Sequence, residues 1–270
     1  MTRRGKYNAP MLLLPGNALG IMSMGMRLDP AYYGWLLSPA RTMTREGLYG
    51  LSYAVDNEVF TQRFEPGRFR RALIRIRDAH GPDACRFVVA PDVLYDAAAT
   101  LRQFGDWSEE IRGMGLPVAL AAQDGLKYDP SQDHFYVGSD LDVTDYMDVC
   151  YPDVQPEDDP QYYDAREEWR VIVETDEMDA LFVGGSTGWK LSDDAARLMH
   201  AARARGKWVH AGRVNSWYRY AQFKCKPDSI DGTHWTKKPN RYLREWETER
   251  RLRCEHPTMK FMSSVEKWSP

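Results

Sequence analysis

The stretch ALFVGGSTGWK, residues 180–190, is a short apolar run that leads directly into two glycines and a polar turn. Similar apolar runs recur along the chain: Met11–Leu14, Tyr49–Val55, Phe87–Ala90, Val118–Ala122, Trp208–Ala211 and, more weakly, Ser229–Asp231. Most of them lack the polar alternation of half-exposed strands. This pattern is typical of parallel strands that are covered on both faces.

Segments with helical spacing lie between the apolar runs, at Phe69–Ala79, Asp96–Met114 and Asp193–Arg205. For the last of these, Ser192 is a predicted N-cap and Gly206 a predicted stop. The alternation predicts an α/β fold, and seven or eight strands in 270 residues suit a TIM-type (β/α)8 barrel. An open doubly wound sheet is the alternative, but neither GxGxxG nor GxxxxGK[ST] occurs in the sequence.

Two segments depart from the alternating pattern. A stretch from about residue 127 to 163 is rich in Asp, Pro and Tyr and has little helical periodicity, so we expect a long irregular insertion. Residues 237–270 are basic, and we expect a helical extension packed on the barrel. The sequence therefore predicts a catalytic barrel over residues 1–236, with this insertion, and a C-terminal extension.

Composition indicates an ordinary globular protein: 43% of residues are hydrophobic and the formal net charge is −3. No apolar run approaches the roughly 18 residues of a membrane span, and the N-terminus lacks the apolar core of a signal peptide. We therefore predict a cytoplasmic protein that does not bind membranes. Four dispersed cysteines without a CxxC pair disfavour both a disulfide framework and a zinc ribbon.

Charge is distributed unevenly along the chain. Residues 129–194 hold 19 acidic and 3 basic side chains, whereas residues 197–270 hold 17 basic and 7 acidic ones. A basic C-terminal quarter that is also rich in Trp and Tyr is compatible with contact to nucleic-acid phosphates. A solvated helical surface is the other interpretation, because charge runs mark many kinds of surface.

Polar residues and glycines follow most of the predicted strands, where the functional groups of a parallel barrel gather. They include Asp56, Asp92, Gln123, Gly184, Gly185 and Asp231. An Asp at such a position also commonly caps the next helix. The histidines and cysteines lack the spacing of metal ligands, and the GxSxG motif of a serine nucleophile does not occur. Catalysis by carboxylate groups is then the remaining candidate. One Asp as nucleophile and another as general acid or base is the arrangement that cleaves glycosidic bonds through a covalent intermediate.

The order and spacing of these motifs resemble a known enzyme superfamily. The motifs are Asp56-Asn57, Ala90-Pro91-Asp92, Gln123-Asp124-Gly125, residues 182–187 (FVGGST) and Ser229-Ile230-Asp231-Gly232. They resemble the tRNA-guanine transglycosylase superfamily, and within it the DNA-directed, DpdA-type enzymes, which exchange guanine in DNA for a 7-deazaguanine. The resemblance runs from about Tyr49 to Trp235. Its most particular part is residues 183–190 followed by residues 210–213 (HAGR).

The resemblance implies a role for each matched residue. Asp231 would attack the anomeric carbon of the sugar, and Asp56 would act as the general acid and base. The residues that would bind the base are Asp92, Gln123, Gly184 and Gly185. The implied partners are DNA and a free 7-deazaguanine base such as preQ0, with no cofactor and no metal.

The C-terminal region departs from the tRNA enzymes of this superfamily. Those enzymes carry a zinc site of three cysteines and a histidine, whereas the chain after Trp235 offers only Cys254 and His256. The missing zinc subdomain favours DNA over tRNA as the substrate. The predicted nucleic-acid contacts are Arg213, Lys237, Lys238 and Arg241.

The predicted reaction is a two-step displacement in which Asp231 replaces guanine and a 7-deazaguanine then reclaims the sugar. Two alternatives remain open at the level of sequence. One is a nucleosidase or base-removing glycosylase that uses water as the acceptor. The other is a non-catalytic nucleic-acid-binding barrel. A homodimer is compatible with the sequence, which does not decide the oligomeric state.

Overall fold

The computed structural model describes residues 12–13, 29–40, 50–61, 64–131, 133–137, 171–234, 241 and 243–249. Its strands are β1 (Leu12–Leu13), β2 (Gly34–Leu37), β3 (Ser52–Val55), β4 (Cys85–Val89), β5 (Val118–Ala122), β6 (Lys127–Asp129), β7 (His134–Val137), β8 (Val171–Glu174), β9 (Ala180–Val183), β10 (Trp208–Ala211) and β11 (Ser229–Ile230). Eight of these strands form one sheet in the order β1-β11-β10-β9-β5-β4-β3-β2, and every pair in it is parallel. The edge strands β1 and β2 also contact each other. This circular order is that of a TIM-type barrel, and the predicted fold class is confirmed.

Helices connect the strands as a (β/α) alternation requires. They are α1 (Pro66–His80), α2 (Ala97–Gly113), α3 (Thr187–Lys190), α4 (Asp193–Ala204) and α5 (Trp217–Gln222). The predicted caps of α4 are confirmed, because the Ser192 side chain accepts a hydrogen bond from the Ala195 N–H and Gly206 follows the helix at φ 74°. The start of α1 is fixed by Pro66 and by Glu65, whose carboxylate accepts backbone N–H groups of the first turn.

The two faces of the barrel strands pack against different partners. One face contacts the helices and forms the larger apolar core, with Phe69 and Leu73 of α1 and Phe104 of α2 fully buried. The opposite face forms a smaller cluster inside the barrel: Leu36, Ala54, Phe87, Val89, Ala119, Ala121 and Ala180. The alanines of this cluster leave room for large rings, and Phe182 stacks on His210 with centroids 4.9 Å apart.

The insertion is more regular at its start than the sequence predicts. Strands β6 and β7 form a hairpin, and β8 adds to it as a third antiparallel strand. Phe135 is fully buried and its ring lies 5.4 Å from that of Tyr128, so the hairpin has an apolar face of its own. This small sheet packs against α2 and α4. Residues 138–163 of the predicted insertion lie outside the described residues.

The described part of the C-terminal extension is helical over residues 243–249. Leu243 and Trp246 are buried, and the Trp246 ring meets the ring of Trp217 edge-on at 4.6 Å. Trp246 is therefore part of the packing between the extension and the barrel. No helix within the described ranges is both long and apolar enough to cross a bilayer.

Candidate active site

Side chains that follow different strands meet at the carboxyl edge of the barrel sheet. Asp56 follows β3, Asp92 follows β4, Gln123 follows β5 and Asp231 follows β11. The carboxyl of Asp56 is close enough to Asp231 and Asp92 for their charges to act on it. Asp92 is hydrogen-bonded to Gln123. The structure thus brings together the four polar residues that the sequence singled out.

Asp92 is buried within a network of amide side chains. Asn57 Nδ2 donates to Asp92 Oδ1 at 2.7 Å and to the carbonyl of Ala90 at 2.9 Å, and Gln123 Nε2 donates to Asp92 Oδ2. The Gln123 carbonyl in turn accepts the backbone N–H of Tyr95 at 3.3 Å. Burial raises the pKa of Asp92, while the hydrogen bonds from Asn57 and Gln123 lower it. The network fixes both the orientation of this carboxylate and that of the Gln123 amide.

Asp56 is influenced by the charges of two other acids. Burial, together with the charges of Asp231 and Asp92, raises the pKa of Asp56 to about 7, although backbone N–H groups of Glu58 and Asn57 oppose the shift. A carboxyl group with a pKa near neutrality can both donate and accept a proton at physiological pH. Asp56 therefore has the properties of a general acid and base.

Asp231 is held by a neighbouring backbone amide and by a buried histidine. Its Oδ1 atom accepts the backbone N–H of Arg213 at 2.6 Å and lies 3.3 Å from His210 Nε2. The side chain is 17% exposed, so it lies at the surface of the barrel mouth rather than within the core. Within the described residues no hydrogen bond engages Oδ2. One carboxylate oxygen is thus anchored, while the other has no hydrogen-bond partner among the described residues.

The glycine pair after β9 is shaped by its protein neighbours. A Cβ on Gly185 would lie 2.4 Å from Asp124 Oδ2 and 3.0 Å from the Trp189 ring, and its backbone has φ 67°. Asp124 accepts both the backbone N–H of Ser186 at 2.7 Å and its hydroxyl at 2.6 Å. A Cβ on Gly184 would press on Gln123 Nε2 at 3.0 Å. The close approach of Asp124 and Gln123 is therefore enough to explain why positions 184 and 185 are both glycine.

Lys190 is a site residue that the sequence analysis did not single out. The side chain is buried, and its Nζ atom donates to the carbonyl of Gly212 at 2.8 Å. Gly212 precedes Arg213, whose N–H holds Asp231, so Lys190 supports the turn that anchors Asp231. The signal in the sequence was a lysine between Trp189 and Leu191, in the segment that connects two predicted strands.

The residues predicted to bind nucleic acid differ in their placement. Arg213 is exposed at the barrel mouth, and its guanidinium lies 4.0 Å from the centroid of Phe60. Arg241 is exposed and pairs with Glu245 at 3.0 Å. Lys237 and Lys238 lie outside the described residues. Arg213 is therefore the described member of this set that borders the Asp56–Asp231 pair.

No group of three or more His, Cys, Asp or Glu side chains is arranged to hold a metal ion in the described part of the chain.

Comparison with known proteins yields similar structures at low sequence identity. No family model matches the chain, and no curated protein is significantly similar to it. Tryptophan synthase from M. tuberculosis is 13% identical, with 90% of each chain covered and a TM-score of 0.44. A sugar phosphate isomerase/epimerase from Parabacteroides distasonis is 12% identical, with 95% of this chain and 100% of that chain covered and a TM-score of 0.43. A 7,8-dihydropteroate synthase from Vibrio fischeri is 9% identical, covers 90% and 94%, and has a TM-score of 0.36. Similarity at this level carries no information on the reaction.

Proposed function

We propose that the protein is a DNA-guanine transglycosylase, which exchanges guanine in DNA for a 7-deazaguanine base through a covalent intermediate on Asp231. The observation that carries the proposal is the pairing of two carboxyl groups in different environments. Asp56 has a pKa of about 7, whereas Asp231 is anchored through one oxygen by an N–H donor and its other oxygen has no hydrogen-bond partner among the described residues. Such a pair supplies a proton donor and a nucleophile side by side.

The first step cleaves the glycosidic bond. Asp231 Oδ2 attacks C1′ of the deoxyribose, the bond between C1′ and the guanine nitrogen breaks, and its electron pair leaves with the base. Asp56 gives its proton to the departing guanine. The products are a glycosyl ester of Asp231, an ionised Asp56 and free guanine.

The second step reverses the roles. A 7-deazaguanine enters the emptied base pocket and gives the proton of its ring nitrogen to Asp56. That nitrogen then attacks C1′ and the ester bond to Asp231 breaks, which restores the starting carboxylate. Two inversions at C1′ give net retention of configuration. The exchange consumes no nucleotide triphosphate, which agrees with the absence of a GxxxxGK[ST] motif from the sequence.

The Asp92–Gln123 pair supports recognition of a purine. Each side chain has its orientation fixed by the other, and Asp92 by Asn57 as well. A carboxylate accepts hydrogen bonds from ring N–H and exocyclic amino groups, and a side-chain amide both donates and accepts. Together they match the guanine edge, on which a carbonyl, a ring N–H and an amino group stand in a row. A fixed donor and acceptor set also discriminates against bases that leave it unpaired.

Access to Asp231 requires the target nucleotide to leave the helical stack. An enzyme that acts on a base within a duplex must flip that base out or act on a single strand. The exposed guanidinium of Arg213, next to Asp231, supports placing the sugar-phosphate chain at this side of the mouth.

A base-exchange assay tests the proposal. Purified protein is incubated with an oligonucleotide and radiolabelled guanine or preQ0, and label in the nucleic acid is counted; an equal amount of tRNA forms the second arm. We expect label in DNA in preference to tRNA, with incorporation falling steeply as salt rises. Equal or better labelling of tRNA at matched salt would contradict the choice of DNA. Release of guanine in the absence of any added base would indicate the hydrolytic alternative instead.

A further inference from the structure

A cavity of about 230 Å³ opens beside the reaction centre, between the loops that follow β9 and β10. Three of its lining residues are cationic, namely Lys190, Arg213 and Arg219, and none is acidic. The volume is below the roughly 300–1,000 Å³ of pockets that enclose a drug-sized ligand, so it suits one charged group better than a whole nucleotide.

The three cations have no carboxylate partner among the described residues. Lys190 Nζ donates to the Gly212 carbonyl at 2.8 Å, and Arg219 Nη1 donates to the Arg213 carbonyl at 3.2 Å. The guanidinium of Arg213 lies over the ring of Phe60. Each therefore contacts only neutral groups, and most of its donor capacity remains for another partner.

The positive charges at this cavity repel one another, and the nearest acids act against that repulsion. Burial lowers the pKa of Lys190 to about 8, and the charges of Arg213 and Arg219 act in the same direction, against those of Asp231 and Asp124. An anion in the cavity would relieve the repulsion and accept hydrogen bonds from all three side chains. Phosphate fits because its oxygens accept bonds from several donors, and Arg binds it in a bidentate manner.

The cavity adjoins Asp231 through Arg213. Arg213 contributes its side chain to the cavity lining and its backbone N–H to Asp231 Oδ1, at 2.6 Å. A group bound in the cavity is therefore next to the carboxylate that faces the sugar. In a nucleotide, the group adjacent to the sugar that carries negative charge is its phosphate.

We propose that this cavity is a phosphate subsite, which holds a phosphate group of the nucleotide whose base is exchanged. The proposal rests on the proposed function, since it takes Asp231 as the residue that meets the sugar. The subsite would place C1′ against Asp231 by fixing the sugar from its phosphate side. Binding energy from a part of the substrate that does not react is then used for orientation at the part that does.

The test compares deoxyguanosine 5′-monophosphate with deoxyguanosine by titration calorimetry at constant ionic strength. The two cavity variants are Arg219→Gln and Arg213→Asn, and the control is Arg75→Gln. Asn is used at position 213 because it tolerates the backbone φ of 60° there. Arg75 is exposed on α1, outside the cavity, so the control removes the same charge elsewhere. We expect the wild type and the control to bind the nucleotide at least about tenfold more tightly than the nucleoside. This difference corresponds to about 1.4 kcal/mol of binding free energy, which should be lost when the subsite is removed.

The outcome for the two cavity variants is decisive. We expect the ratio of the two affinities to fall toward one in Arg219→Gln and Arg213→Asn, while both fold as judged by thermal unfolding. An unchanged ratio in both variants, or no advantage of the nucleotide in the wild type, would overturn the subsite. Arg219-dependent binding of inorganic phosphate without any advantage of the nucleotide over the nucleoside would also overturn it.

The base-exchange assay on the same preparations separates this proposal from the proposed function. If base exchange into DNA occurs but the nucleotide binds no more tightly than the nucleoside, the proposed function stands and the phosphate subsite is wrong. A nucleotide advantage that depends on Arg219, without any exchange, keeps the subsite and removes the transglycosylase.

Discussion

The imidazole of His210 faces Asp231, with its Nε2 atom 3.3 Å from Oδ1 of the carboxylate. The hydrogen bond at the other ring nitrogen, Nδ1, determines the tautomer. Nδ1 lies 2.8 Å from Ser229 Oγ, which also accepts the indole N–H of Trp208 at 2.8 Å. Because Ser229 already accepts that hydrogen, its own hydroxyl hydrogen can go to Nδ1. Nε2 of a neutral imidazole then carries the hydrogen that faces the carboxylate. The chain from Trp208 through Ser229 and His210 thus ends in a donor aimed at Asp231.

Asp231→Asn is expected to abolish both base exchange and the covalent protein–DNA adduct. The amide retains an oxygen that can accept the Arg213 N–H, so the turn is kept, but an amide is a poor nucleophile toward C1′. Adduct is measured by trapping labelled DNA on a denaturing gel, and DNA affinity should stay within a few-fold. Asp83→Asn is the matched control, since Asp83 is exposed before β4, at the opposite end of the barrel. A normal adduct from Asp231→Asn would contradict the assignment.

The rate of adduct formation should fall as pH rises through about 7. The first step of the proposed reaction needs protonated Asp56, whose pKa is about 7, so the competent form is lost above that pH. Asp56→Asn should slow adduct formation by roughly 10²–10⁴-fold and remove this limb of the profile. The measurement is a single-turnover series with enzyme in excess and no acceptor base, from pH 5 to 9. Persistence of the same limb in Asp56→Asn would assign it to another group.

Asp56 should also make the free energy of unfolding depend on pH. Its pKa is raised from 3.8 to about 7 in the fold, so the native state binds more protons than the unfolded chain between these values. The stability that protonated Asp56 contributes is complete below about pH 4 and is lost as pH rises through 7. Asp56→Asn should therefore gain in Tm relative to the wild type as pH rises from 5 to 8. A constant difference across this range would show that the carboxyl is not perturbed.

Gly185→Ala should destabilise the fold, whereas Gly188→Ala should not. The Cβ at position 185 would overlap Asp124 Oδ2, and the residue would be left at φ 67°, at a cost of about 1–3 kcal/mol. Gly188 is exposed, in α3, with nothing within 4 Å of its Cβ position, so alanine there should leave stability unchanged or raise it by up to about 1 kcal/mol. Urea unfolding of the two variants gives the comparison. Equal stabilities would contradict the contact between Asp124 and the Gly185 turn.

Much of the barrel could be predicted from the sequence, because fully buried parallel strands are continuous apolar runs. Strands β4, β5, β9 and β10 coincide with the predicted runs to within two residues. Strand β2 was missed, although Trp35, Leu36 and Leu37 are apolar, because the run is short and includes a glycine. Strand β8 was missed because an acidic, charged sequence surrounds it.

The convergence of Asp56, Asp92 and Asp231 could be anticipated, since the ends of parallel strands share one edge of the sheet. The contacts that orient these acids could not be predicted from the sequence. The bond from Asn57 to Asp92 depends on side-chain direction, and so does the one from Lys190 to Gly212. His210 did leave a signal, namely a histidine at an inward position of an otherwise apolar strand. Its partners Ser229 and Trp208 emerge only when β10 and β11 are placed side by side.

The chain departs from the barrel after β5 and returns to the neighbouring strand β9, with Ala122 directly paired to Val183. Asp124 and Ser186 fasten the carboxyl ends of β5 and β9 to each other, so the spacing of these two strand ends does not depend on the length of the segment that connects them, residues 125–179. The entropic free-energy cost of closing a loop rises by only about 0.6 kcal/mol for each doubling of the loop length. Evolution can therefore lengthen, shorten or replace this segment without moving the carboxylates, which makes it the part of the molecule most open to adaptation toward new substrates.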